Sequence, residues 1–123
     1  GSKANLAAGL AAALRDPAQF GFVLQPIADI AAPSRPVAFE MLARWRHPAL
    51  GEVPPDAFIP VAERGGLCLA LDEAALEAAT RLLPRLPEGA RRLAVNVTPS
   101  SLLLPGALAR LDALLAAFGP GFD

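Results

Sequence analysis

Cysteine is almost missing from this sequence: Cys68 is the only one in 123 residues. An intramolecular disulfide is therefore excluded, and a reducing compartment such as the cytoplasm suits the chain. Cys68 itself reads as a small buried apolar residue. Histidine is equally scarce, with His47 alone, so the sequence holds no Cys/His cluster for zinc. Neither charge sign is in excess, since 11 basic and 12 acidic residues leave a net charge of −1. That balance gives no electrostatic footprint for nucleic acid and no polybasic patch for a membrane surface. Charges or prolines interrupt every apolar stretch before it reaches the length of a membrane span. What remains is 54% hydrophobic and 19% charged, the balance of a globular chain about one domain long. Gly1-Ser2 reads as a cloning scar, and no secretory signal follows it.

The pattern along residues 3–123 alternates helix and strand. Leu6, Leu10 and Leu14 recur four apart and predict a helix over 4–14, ended by Asp16-Pro17. "FGFVLQPI" (20–27) and "VAFEMLARW" (37–45) are aromatic and β-branched and predict two strands. The link of about nine residues between them suits an antiparallel pair better than a parallel crossover. "RHPALGEVPP" (46–55) reads as a long loop. Asp56 is placed to cap a short helix over 57–64 that Gly65-Gly66 would stop. In "LDEAALEAATRLLPRL" (71–86), Asp72 and Glu73 open a helix and Arg81 and Arg85 close it, complementing its dipole. Leu76, Ala79, Leu83 and Leu86 form its apolar stripe, and Pro84 should kink or end it. "RRLAVNVT" (91–98) predicts a third strand, and "PGALARLDALLAAF" (105–118) a last helix. Helices between the second and third strands suit a βαβ unit. The fold class is α/β.

Strand side chains alternate between faces. On the second strand Val37, Phe39, Met41, Ala43 and Trp45 share one face, and Ala38, Glu40, Leu42 and Arg44 the other. Both faces are mostly apolar, as in a strand covered on both sides. The third strand places Asn96 beside Ala94, and the first places Gln25 among Val23 and Ile27. Each strand thus carries a carboxylate or carboxamide among apolar residues. Periodicity leaves two explanations open. Glu40 is solvated or paired with Arg44, or the oxygens converge on a hard divalent cation.

Four motifs then resemble the EAL domain family of bacterial cyclic di-GMP phosphodiesterases, in the family's order. "LQPI" (24–27) stands for its YQPI, and "EMLARWRHP" (40–48) for its signature EALLRWxHP. "GEVPPDAFIPVAERGGL" (51–67) and "VNVTPSSL" (95–102) match its next two motifs. The resemblance implies a TIM-like (β/α) barrel whose second strand runs against the rest. This chain would supply part of it, with about three strands and three to five helices. It also implies roles. Glu40 and Asn96 would be ligands of Mg²⁺ or Mn²⁺. Arg44 would hold a phosphate of cyclic di-GMP, and Gln25 and Leu42 would line its pocket. The family reaction opens one phosphodiester bond to give pGpG, with two metal ions activating water and clamping the phosphate.

The departures are equally specific. Met41 replaces the signature alanine, on the face opposite Glu40, and Ala43 replaces a leucine. The family's remaining acidic ligands and its lysine would all lie beyond "GPGFD". A full barrel needs about 200 residues or more. The expectation is a truncated EAL-like domain over 3–123 that binds no metal and hydrolyses nothing alone, and acts in regulation or interaction. A fragment of an active phosphodiesterase and a non-catalytic cyclic di-GMP-binding module are the alternatives. Expected partners are other signalling domains or proteins, and a second copy through the open barrel edge. His47 is read as a loop residue, Trp45 as packing, Glu63 as structural, and Arg91-Arg92 as the solvated start of a strand.

Overall fold

The computed structural model describes residues 2–96, together with 106, 109 and 113. Helix α1 (Ser2–Ala13) buries Leu10 and Ala13 and packs Leu6 and Leu14 partly against the same core. Asp16 then ties the turn. Its carboxylate accepts the Ala18 N–H at 3.0 Å and the Gln19 side-chain amide at 3.1 Å. Strand β1 (Phe20–Ala28) runs antiparallel to β2 (Pro36–His47), with Gln25 opposite Glu40 and Val23 opposite Leu42.

The segment read as a loop after β2 contains a short strand, β3 (Gly51–Val53), paired with Trp45–His47. Its turn closes on His47, whose Nδ1 accepts the N–H groups of Ala49 and Leu50 at 3.0 and 3.1 Å. His47 is the loop residue expected. Helix α2 (Pro55–Gly65) begins two residues before the expected start. Pro54 is its N-cap, and Asp56 makes no capping bond but lies in the first turn, where its charge favours the helix dipole. Gly66 takes the left-handed conformation (φ +71°) that ends it, as expected. Helix α3 (Cys68–Leu82) starts earlier than its acidic pair suggested, so no acid occupies its first turn. Asp72 instead falls on the buried stripe with Cys68, Ala75 and Ala79 and is 1% exposed. A 3-10 turn over Leu83–Arg85 replaces the helix at Pro84, as expected.

Strand β4 (Leu93–Val95) lies beside β2 and parallel to it, with Glu40 opposite Ala94. The parallel βαβ step is thus present. The reversed strand is β1, not β2, because β2 and β4 share a direction. Residues 97 and 98 of the expected third strand lie outside the described residues. So does most of the helix expected over 105–118, of which Ala109 and Ala113 are helical.

The core lies on one side of the sheet. Trp45 and Phe58 are fully buried and meet edge-on at 6.1 Å, and Phe20 joins Phe58 in the same way at 5.6 Å. Cys68 is buried in this cluster, and Arg91 and Arg92 are exposed, both as expected. A second cluster sets Met41 against Ala75, Ala78 and Ala79 of α3. The expectation that both faces of β2 are covered is not met among the described residues. Met41 and Trp45 are buried, whereas Glu40 and Leu42 are half-buried and Arg44 is exposed. On the same open face Val23 and Ile27 are 41% and 42% exposed. The described helices cover the odd-numbered face of β2 alone, which is why its two apolar faces differ in burial.

Candidate functional site

The open face gathers the residues that the strand pattern singled out. Arg46 donates its backbone N–H to the Gln19 carbonyl at 2.7 Å. That bond sets the phase of the β1–β2 ladder. Odd-numbered residues of β1 bond toward β2, and even-numbered ones turn their backbone groups to the outer edge. Pro26 is even-numbered, so its missing N–H takes nothing from the ladder and blunts the outer edge. It also leaves Gln25 in register opposite Glu40, on the same face.

Glu40 of β2 meets Asn96, the residue just after β4. Asn96 Nδ2 donates to Glu40 Oε2 at 3.2 Å, joining residues 56 apart in sequence. The parallel register, with Glu40 opposite Ala94, brings Asn96 within reach on the same face. Because its nitrogen donates to the carboxylate, the Asn96 oxygen is the atom left for a cation. Arg44 makes no ion pair with Glu40; four residues along a strand separate them by about 13 Å. Among the described residues Arg44 has no carboxylate partner. The ion pair on β2 belongs instead to Arg46 and Glu52, at 3.3 Å on the exposed side of the β3 hairpin. Of the two explanations that periodicity left open, the Glu40–Arg44 pair is therefore not formed.

The donor set suits a hard divalent cation in kind, being a carboxylate and a carboxamide. In number it falls short, because no group of three or more His, Cys, Asp or Glu forms a metal cluster among the described residues. Leu42 lies between Glu40 and Arg44 on the open face and opposite Val23. Met41 points the other way, into the α3 alanines, so the changed signature leaves the Glu40 side chain untouched.

Sequence reasoning missed an apolar cavity of about 300 Å³ between the sheet and helices α2 and α3, which Leu42 also reaches. Met41, Ala43, Phe58, Leu71 and Ala75 line it, and Asp72 and Asn96 border it. Asp72 could have been recognised from its spacing, since it follows Cys68 by four and precedes Leu76 by four on one helix face.

The EAL domain family matches residues 8–121. The chain belongs to that family. It is 39% identical over 88 residues to the "Probable cyclic di-GMP phosphodiesterase PdeN" of Escherichia coli K12, matching 68% of this chain and 17% of that protein. The crystal structure of the FimX EAL domain from Pseudomonas aeruginosa, bound to c-di-GMP, superposes with a TM-score of 0.72 at 30% identity. That match covers 94% of this chain and 46% of that EAL-domain chain. The PaMucR phosphodiesterase in its c-di-GMP complex gives 0.73 at 27% identity, over 93% of this chain and 47% of that one. The EAL chain thus spans about half the length of these solved structures. The barrel fold is that of the family. No helix among the described residues is long and apolar enough to cross a membrane.

Proposed function

We propose that residues 3–123 form one wall of a cyclic di-GMP site and act as a regulatory or interaction module that does not hydrolyse the dinucleotide alone. The observation that carries this reading is the Glu40–Asn96 contact at 3.2 Å between β2 and the residue after β4. It supports reading Glu40 and Asn96 as neighbouring ligand positions. Glu40 and Asn96 would hold Mg²⁺ or Mn²⁺, which when bound supplies water activation and charge neutralisation at the phosphate. Arg44, exposed and without a carboxylate partner among the described residues, suits a phosphate oxygen. Gln25 and Leu42 flank that position on the same face, where a base would rest. Hydrolysis needs more. Two metal ions in fixed geometry require several carboxylates, and among the described residues this face brings forward one carboxylate, Glu40, beside the carboxamides of Gln25 and Asn96. The single cysteine is in keeping with a cytoplasmic module working beside other signalling domains.

The test is pGpG formation by the 123-residue chain with Mg²⁺ or Mn²⁺. No turnover above background is expected. Robust turnover that Glu40→Ala abolishes would overturn the reading. It would favour the alternative of a working phosphodiesterase segment, which the likeness to PdeN supports. Titration calorimetry with cyclic di-GMP then separates a binding module from a pure interaction module.

A further inference from the structure

Arg46 is the last residue but one of β2 and falls on the variable letter of the signature. Alternation puts it on the face of Glu40, Leu42 and Arg44. The β2–β3 register gives the same answer independently. Trp45 pairs with Val53, and both are buried in the aromatic core on the helix side. The next pair, Arg46 and Glu52, therefore turns to the other face, which lines the barrel interior. In barrels of this kind, ligands are met at the C-terminal ends of the strands. Arg46 lies at that end of β2, two residues and about 6.6 Å beyond Arg44. From its middle to its end, the site face of β2 thus reads acid, apolar, base, base.

Glu52 holds Arg46 without exhausting it. Arg46 Nε and Nη2 both donate to one oxygen, Glu52 Oε1, at 3.4 and 3.3 Å. A guanidinium has five N–H donors, so three are left by this pairing. The carboxylate is gripped at a single atom, not by the two-oxygen fork that makes such pairs strong. A cyclic dinucleotide carries two phosphodiesters, and Arg44 is placed to hold one. We propose that Arg46 takes the other, as a second anion contact at the mouth of the site. Glu52 tempers that contact, because its carboxylate repels the phosphate that Arg46 attracts. This role rests on the nucleotide reading of the site.

Titration calorimetry of the 123-residue chain with cyclic di-GMP tests it, because the two partners of the ion pair act with opposite signs. Arg46→Ala is expected to weaken binding by about tenfold, as for a lost hydrogen bond to a charged group. It also flattens the salt dependence of the affinity. Arg46→Lys keeps the charge without the planar fork and restores part of the binding. Glu52→Gln breaks the same ion pair yet tightens binding by about twofold or more, by removing a negative charge beside the phosphate. A pair that only braced the β3 turn would shift affinity in one direction from either side. Far-UV circular dichroism checks that each variant is folded. Binding that Arg44→Ala weakens but Arg46→Ala leaves unchanged would overturn this role alone, and so would a Glu52→Gln that weakens binding. A wild-type chain that binds no cyclic di-GMP would overturn the nucleotide reading and this role with it.

Discussion

Replacing Met41 by alanine recreates the family's signature letters and is expected to weaken the protein. Met41 is 3% exposed and packs on Ala75, Ala78 and Ala79 of α3. Those alanines lie where a large residue on β2 needs small neighbours. The change removes roughly three methylene-sized groups, or about 2.4 kcal/mol at about 0.8 kcal/mol each. A cavity term adds to this where the surroundings do not collapse. The site already borders an apolar cavity of about 300 Å³, so the new space joins an existing one. The expected loss is about 3 kcal/mol, inside the range of about 2 to 5 kcal/mol for such truncations. With a urea slope of about 2 kcal/mol/M, the unfolding midpoint falls by about 1.5 M. Met41→Leu, similar in volume, should cost less than about 1.5 kcal/mol. An unchanged midpoint for Met41→Ala would refute the packing argument.

Two further outcomes follow from the local geometry. Gly66 holds φ +71° at the end of α2, and a Cβ there meets nothing within 4 Å. Gly66→Ala therefore costs only backbone strain, about 1 kcal/mol, read as a lowered urea midpoint; no loss would contradict the left-handed cap. His47→Ala removes the acceptor of two backbone N–H groups in the β2–β3 turn. It should cost about 1 kcal/mol and speed amide exchange at Ala49 and Leu50; unchanged exchange would show that the turn holds without the ring.

The long periodic elements were legible in the sequence because each carries its own pattern. Leu6, Leu10 and Leu14 mark α1, and the aromatic runs mark β1 and β2. Strand β3 has no pattern of its own. Its three residues are a strand only because Trp45–His47 pair with them. The start of α3 was misplaced because Asp72 and Glu73 resemble a first turn, whereas burial puts Asp72 on the inner stripe. Alternation set Glu40, Leu42 and Arg44 on one face, but composition could not say which face the helices cover. Nor could it bring Asn96 to Glu40, a contact that depends on the register of β4 56 residues later. The family motifs named both residues, and the register supplies their meeting.

Strand β2 therefore separates two tasks by parity. Odd positions build stability, with Trp45 among the aromatic rings and Met41 among the α3 alanines. Even positions present Glu40, Leu42 and Arg44 to the open side. Trp45 is fully buried on the odd-numbered face, and its Nε1 has no hydrogen-bond partner among the described residues. The same separation explains how the middle letter of the signature can change while the first keeps its chemistry. A side chain at 41 reaches Glu40 only by moving the strand. The α3 alanines leave room for a methionine, so the strand need not move. The methionine therefore acts on packing against α3 and leaves Glu40 on its own face.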